Sequence, residues 1–392
     1  MKKRILLPIS IVVICGIAEF LSSIGLHIFE KRDGSVDTIS ERHAGIIREL
    51  LCDTSSYIKF SKDLGWTIRE FGKTEWYTAN SVGMRSTKEY EFIPPSGKFR
   101  IMICGDGFTH CNDVRNDEAW PALLEQMNTE WEVLNLGVWC YGLDQVYLRY
   151  LRKGRQYKSN IVLIGFGSEN VFRLVNTYRP FIFRHTGLPL TKPRFCIGNG
   201  TLELIPNPMQ SLDDYKTLLE KPKEIIPKLG INDYYYKQRT KSSGVGFLPS
   251  VRLAKLMFSK WREKRSNTLF SREAYSENSE SFHIMIKLID TFHKRIKENG
   301  SIPVFCIFPL RKDIRRYWEG GTKQYTPLLS HFEERGYKYI DAVHAFDKLD
   351  KDFDTSVLYI HLYTVIGNQL VADYMNKSLK QIISTTKTAT AP

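Results

Sequence analysis

Asp106, Cys140 and His361 are three residues whose side chains could together carry out acyl transfer. A histidine that takes the proton from a cysteine thiol turns the sulfur into a nucleophile for a carbonyl carbon. Cys140 and His361 could form such a pair, and Asp106 could orient a loop or a water molecule beside them. Because the three residues lie far apart in the sequence, this chemistry requires a fold that brings them together.

Five short apolar runs, separated by helical patterns, are the elements that could position these residues. The runs predict strands at 100–104, 131–135, 161–166, 302–308 and 337–341. Alternation of strands and helices with short connections is typical of a parallel sheet that is covered on both faces. The first run ends at Gly105-Asp106-Gly107, and open sheets of this kind present functional groups where their strands end.

The segment around Asp106 resembles the first block of the SGNH, or GDSL, hydrolase family, which usually reads Gly-Asp-Ser-hydrophobic-Thr. Phe99 to His110 reads FRIMICGDGFTH, so that Gly107 stands where the family has its serine. Glycine has no side-chain nucleophile, and the usual acyl-enzyme chemistry cannot start there. The resemblance implies a three-layer α/β/α fold with a central, mostly parallel five-stranded sheet of the flavodoxin-like SGNH type, plus an insertion.

The other blocks of the family are also altered in this chain. Cys140 replaces a glycine whose backbone N–H helps to bind the oxyanion in the family. Glu169 stands at the position of the family's oxyanion-binding asparagine, although a slip of one residue would let Asn170 serve instead. The last block keeps His361, but Leu358 replaces the acid that would orient it. A carboxylate repels a developing oxyanion, and a histidine without its acid loses control of its tautomer, so the pattern indicates a degenerate active site.

The amino terminus predicts attachment to a membrane. Lys2, Lys3 and Arg4 precede an apolar run, residues 5–29, that is long enough to span a bilayer as a helix. Basic residues on the leading side of such a run predict a cytoplasmic amino terminus and a periplasmic or extracellular main body. Glu19 interrupts the run, and the alternative is a cleaved signal peptide, which would release a secreted protein.

The rest of the chain divides by composition and pattern. We expect an anchor or signal segment at 1–29, an extension at 30–98, an SGNH-like α/β domain at 99–383 and a polar tail at 384–392. Within the extension, 77–85 resembles an element that precedes the first block in membrane-anchored SGNH-like proteins. An insertion lies at about 176–277, and its sequence pattern predicts one or two β-hairpins followed by a basic amphipathic helix, 252–265. That helix could lie against anionic lipid or pack as a lid with a solvated basic face.

Charge and cysteine content narrow the range of cofactors and partners. The net charge of +13 suits anionic lipids or acidic glycans, and no nucleic-acid-binding motif occurs, so we expect no nucleic-acid partner. The seven cysteines include no Cys-x-x-Cys pair and match no zinc spacing. We therefore expect neither a metal nor another cofactor.

Three functions are compatible with these observations. The first is a membrane-anchored, non-catalytic SGNH-like protein of the cell envelope, for which the resemblance implies acylated polysaccharides or lipids as ligands. The second is an esterase, or an O-acyltransferase, that uses Cys140 as a displaced nucleophile with His361. The third is a structural protein that binds a partner through its insertion. The sequence favours the first, because several family positions have changed together.

Overall fold

The computed structural model describes residues 2–33, 38–53, 57–240, 248–255, 257 and 275–390. The amino-terminal part contains α1 (Lys2–Asp33), α2 (Glu41–Leu51) and an antiparallel hairpin of β1 (Ile58–Ser61) and β2 (Gly65–Ile68). Ser40 begins α2, because its side chain accepts the backbone N–H of His43. Among the helices of the described residues, none combines the length and the apolar character needed to cross a membrane. The spanning segment within 1–29 stays a prediction.

A five-stranded parallel sheet forms the centre of the molecule. In chain order the remaining strands are β3 (Phe99–Gly105), β4 (Trp131–Asn135), β5 (Ile161–Gly167), β6 (Arg194–Gly198), β7 (Thr201–Ile205), β8 (Ile302–Phe308) and β9 (Tyr339–Asp341). The sheet has the order β4–β3–β5–β8–β9, and all its neighbouring strands are parallel. This is the 2-1-3-4-5 order of doubly wound, flavodoxin-like folds. The predicted α/β fold class is confirmed.

Helices cover both faces of this sheet. They are α3 (Gly107–His110), α4 (Trp120–Gln126), α5 (Leu143–Arg149), α6 (Asn170–Arg173), α7 (Leu212–Glu220), α8 (Pro222–Gly230), α9 (Tyr234–Thr240), α10 (Glu280–Glu298), α11 (Arg311–Trp318), α12 (Thr326–Glu334) and α13 (Val365–Thr390). Neighbouring residues of a strand point to opposite faces, so the sheet separates two apolar cores. On β3, Met102 belongs to the core shared with α10, whereas Ile101 and Ile103 belong to the core shared with α13.

The insertion begins with the hairpin of β6 and β7, where the sequence places one. Its turn residues Asn199 and Gly200 have φ values of 48° and 77°, and two positive φ values are typical of a tight hairpin turn. Residues 249–255 are helical, but 256 and 258–265 lie outside the described residues. The basic helix at 252–265 therefore stays a prediction.

The carboxyl-terminal helix is longer than the sequence pattern predicts. α13 continues to Thr390, so residues 384–390 are helical and do not form a separate tail. No glycine or proline occurs between Asn368 and Ala391 to end the helix earlier. The change in composition at Ile383 marks the end of the buried face of the helix, and the helix itself goes on.

Candidate active site

Asp106 lies at the end of β3, at the centre of a buried hydrogen-bond network. Its Oδ1 accepts the backbone N–H of Phe108 at 3.0 Å, and its Oδ2 accepts the N–H of Gly167 at 2.9 Å and the Asn170 amide at 3.0 Å. Burial raises the pKa of Asp106, although the Arg173 guanidinium 3.7 Å away opposes this shift. Asp106 therefore joins the loops after β3 and β5 and acts as a positioning residue.

Gly107, the vacant nucleophile position, is covered by apolar side chains. It begins α3 and is buried. A Cβ atom at this position would lie 3.0 Å from Cδ1 of Leu362 and 3.5 Å from Cδ1 of Trp139. Carbon atoms thus occupy the space next to the point from which the family's serine attacks its substrate.

The side chain of His361 is exposed to solvent. Its side chain is 87% exposed, and its Nδ1 lies 3.6 Å from Oδ1 of Asp113, which is longer than a hydrogen bond. Oδ2 of Asp113 accepts the backbone N–H groups of His361 and Leu362, at 2.8 and 2.6 Å. Asp113 therefore fixes the main chain of this loop in an arrangement that turns Leu362, and not the imidazole, towards Gly107.

Leu358, at the position of the missing acid, is part of the apolar core. It ends a 3₁₀ turn, Thr355–Leu358, and its side chain is fully buried in the core shared with α13. Its carbonyl oxygen accepts the N–H of Thr364 at 2.9 Å. The residue that would orient a catalytic histidine has become a packing residue.

Cys140 has a backbone conformation that glycine adopts more readily than other residues. Its φ is 65°, in the left-handed region, and only 7% of the residue is exposed. Burial raises the pKa of its thiol, although Arg179 and Arg173 favour the thiolate. Arg179 donates to the carbonyl oxygen of Cys140 at 3.0 Å. Among the hydrogen bonds and ion pairs of the described residues, none joins Cys140 to His361, so the structure does not bring the proposed nucleophile and base together.

The side chains of Glu169 and Asn170 both interact with other groups inside the protein. Glu169 forms an ion pair with Arg173, which compensates its charge. Asn170 is fully buried, and its amide N–H groups donate to Asp106 at 3.0 Å and to the carbonyl oxygen of Tyr141 at 3.1 Å. An amide whose donors are already used cannot stabilise an oxyanion, so neither residue provides the function of the family's asparagine.

The extension contributes to this region through its hairpin. The indole N–H of Trp66 in β2 donates to the carbonyl oxygen of Trp139 at 3.1 Å, and the hydroxyl of Tyr141 donates to the carbonyl oxygen of Trp66 at 2.6 Å. The loop that carries Cys140 is thereby held from outside the sheet.

Comparison with known proteins concerns the fold. No protein-family model matches the chain, and no curated protein matches it in sequence. Among solved structures, a lipolytic protein of the G-D-S-L family from Desulfitobacterium hafniense is 13% identical, with 72% of this chain and 99% of that chain covered and a TM-score of 0.35. A G-D-S-L family protein from Veillonella parvula is 9% identical, with 71% and 97% covered and a TM-score of 0.37. An acetylxylan esterase from Geobacillus stearothermophilus is 12% identical, with 72% and 94% covered and a TM-score of 0.36.

The strand order and the positions of the family blocks decide the fold. Asp106 directly follows β3, the Cys140 loop follows β4, and Glu169 follows β5. His361 lies in the loop before α13, so each block occupies the place that the family resemblance predicts. The chain has an SGNH-like hydrolase fold. The departures of this chain from the family pattern lie in the blocks that resemble SGNH sequences rather than in the strand order.

Sequence patterns did not reveal Asp113, Leu362 or Trp139 as residues of this candidate site. The family places its acid three residues before the histidine, whereas Asp113 follows the first block, and only tertiary structure brings it to His361. Leu362 and Trp139 are apolar residues beside recognised positions, and no spacing rule distinguishes a residue that fills a cleft from one that lines it.

We expect iodoacetamide to leave Cys140 unmodified at neutral pH in the folded protein. Its thiol is buried and has a raised pKa, so we expect labelling at least about tenfold slower than at the exposed Cys52. Peptide mass spectrometry measures both sites in one sample, and Cys52 serves as the internal control. His361→Ala should not change the rate at Cys140. Rapid labelling that this substitution suppresses would instead establish a thiol–imidazole pair.

Proposed function

We propose that this protein is a non-catalytic member of the SGNH-like fold class that acts as a binding or accessory protein. One observation carries the proposal: the nucleophile position is Gly107, and Leu362 lies against it. A reaction that begins with attack on a carbonyl carbon needs a nucleophilic atom at that point. His361, the histidine of the family's last block, is 87% exposed and lies 3.6 Å from Asp113.

The residues that remain from the family blocks have structural roles that support this proposal. Asp106 and Asn170 hydrogen-bond to each other across the ends of β3 and β5. Arg173 donates to the carbonyl oxygen of Tyr141 at 2.8 Å and forms an ion pair with Glu169. These contacts account for the presence of polar residues in the vacated site without any catalytic demand.

We assign acylated glycans or lipids as the ligand class, and a membrane-attached main body outside the cytoplasm. The support for the ligand class is the family resemblance. The support for attachment is the basic amino terminus followed by an apolar run, together with the large apolar side chains that α1 exposes: Val13, Ile14, Ile17, Phe20, Leu21, Ile24 and Ile28. Cell fractionation with a carboxyl-terminal tag, combined with protease access to intact cells, tests both the attachment and the side of the membrane.

The decisive experiment for the absence of catalysis is ester hydrolysis by the full-length protein. With p-nitrophenyl acetate and butyrate, we expect no turnover above the rate in buffer. We also expect Gly107→Ser to remain at background, because the new hydroxyl would meet Leu362 and would lack an imidazole within reach.

The matched control for this assay is His361→Ala, which removes the histidine of the family's last block. Turnover by the natural sequence that disappears in His361→Ala would overturn the proposal. If Cys140→Ser abolished the same turnover, the displaced-nucleophile enzyme would replace it.

A further inference from the structure

A second cleft opens on the surface between α11 and the loop that follows β9. Its volume is ≈ 1080 Å³, and its lining includes three aromatic and three aspartate side chains: Tyr317, Trp318, Phe353, Asp347, Asp352 and Asp354. Neither Gly107 nor His361 lines it. The cleft is therefore separate from the vacated SGNH site.

Trp318 gives this cleft an unused hydrogen-bond donor. The residue is 8% exposed, and within the described residues its buried indole N–H has no acceptor. A buried N–H without an acceptor is unfavourable, so an oxygen atom that reaches it from the cleft would gain a bond that the free protein lacks.

The neighbouring aromatic wall is held in place. The hydroxyl of Tyr317 hydrogen-bonds to Nδ1 of His344 at 3.2 Å, and the ammonium of Lys323 lies 5.6 Å from the centre of the Tyr317 ring. A ring that is fixed in this way can pack against a ligand with little loss of side-chain entropy.

The carboxylates of the cleft can act as hydrogen-bond acceptors, and they are not arranged to bind a metal ion. Asp354 is held by the N–H of Ser356 at 2.8 Å, and Asp347 lies 3.0 Å from Nδ1 of His344. No group of three or more His, Cys, Asp or Glu residues in the described part of the chain is placed to hold a metal ion. Asp354 also accepts from the Ser356 hydroxyl at 2.5 Å, but each carboxylate oxygen has more than one lone pair, so these groups can accept further hydrogen bonds from a ligand.

We propose that this cleft binds a neutral saccharide. A sugar hydroxyl can accept from the Trp318 N–H and donate to a carboxylate, and the C–H face of a sugar ring can pack on the aromatic wall. A cationic peptide side chain only donates, so it would leave the Trp318 N–H unpaired. Four acidic and two basic side chains line the cleft, which disfavours an anionic glycan although the whole chain carries +13.

This inference rests on the glycan ligand class of the proposed function, and it assigns the place where the glycan binds. The hydrolysis assay tests catalysis at Gly107, whereas a binding assay tests the cleft. One assay can therefore overturn its own proposal and leave the other proposal unaffected.

The test is isothermal titration of the full-length protein with maltohexaose, xylohexaose and chitohexaose, and with hexagalacturonate as the anionic counterpart. We expect at least one neutral hexasaccharide to bind, and hexagalacturonate to bind more weakly. Tyr317→Ala and Asp352→Asn should each raise the Kd about fivefold or more. Trp318→Phe keeps an aromatic ring but removes the N–H, and it should weaken binding as well. Asp373→Asn on α13 lies outside the cleft and is the matched control.

Thermal unfolding of each variant separates a binding defect from a folding defect. Absence of binding by all three neutral hexasaccharides overturns the inference. Binding that none of the three cleft variants changes overturns it as well. Tighter binding of hexalysine than of any saccharide would replace the sugar with a basic peptide, and hexagalacturonate binding as tightly as the neutral sugars would contradict the neutral ligand class.

Discussion

Lys192→Met is expected to lower the free energy of unfolding by about 3–5 kcal/mol. The ammonium of Lys192 forms an ion pair with Asp144, and the two side chains are 1% and 0% exposed. The ammonium also donates to the carbonyl oxygen of Pro193 at 3.0 Å. Methionine has a similar volume but no charge, so the substitution leaves the Asp144 carboxylate buried without its counter-ion. Urea unfolding followed by circular dichroism measures the loss.

The double variant Lys192→Met/Asp144→Leu tests the reason for this loss. Because it removes both charges, we expect it to recover most of the stability lost in the single variant. The matched surface control is Lys88→Met, since Lys88 pairs with Glu125 at 2.7 Å and is 61% exposed. We expect that control to change stability by less than about 1 kcal/mol. A double variant as unstable as the single one would show that packing, rather than an uncompensated charge, determines the loss.

Arg85→Met is expected to produce a similarly large destabilisation, about 3–5 kcal/mol. The Arg85 guanidinium is buried and donates to three carbonyl oxygens at the end of α3, those of His110, Cys111 and Val114, the last at 2.7 Å. Methionine would leave these buried acceptors without donors. Urea unfolding measures the loss, and limited proteolysis between residues 57 and 96 should show faster cleavage of the extension.

Two further variants define the role of Arg85. Arg85→Lys keeps the charge, but a compact ammonium cannot reproduce the fork of guanidinium donors, so we expect an intermediate loss. Arg69→Met removes a more exposed arginine of the same extension, which pairs with Asp53, and it should have a small effect. Equal stability of Arg85→Met and Arg69→Met would contradict the role of Arg85 in fixing α3.

The fold was predictable where strands are buried on both faces. β8 begins and ends where its apolar run does, because a central parallel strand needs a continuous apolar sequence, and the edge strand β4 also matches its predicted bounds. β9 begins at Tyr339, two residues later than the pattern predicts, since Tyr337 instead stacks on His293 with ring centres 3.9 Å apart. The hairpin of β1 and β2 was missed, because strands of four residues with no clear alternation give no periodic signal.

The sequence predicts that the nucleophile of the site is missing, but it does not predict which side chain fills the space. The missing serine at Gly107 follows directly from the sequence. The covering of that position by Leu362 does not, because no local sequence pattern predicts which residue of the bend at 360–362 faces Gly107. His361 and Leu362 are neighbours in the loop, and the arrangement of the main chain determines which of them faces Gly107. The carboxylate of Asp113, which is distant in sequence, fixes that arrangement by accepting both backbone N–H groups.

The contact between Leu362 and Gly107 also bears on whether the chain could regain a reaction. A single mutation could return a hydroxyl to the start of α3, yet that hydroxyl would meet hydrocarbon on one side and no proton acceptor on the other. That mutation alone would give no activity to select for, and the loop that Asp113 holds would also have to change its conformation. For the non-catalytic protein that we propose, a return to ester hydrolysis would therefore require changes in this loop as well as at Gly107, whereas its surface could change without disturbing that packing.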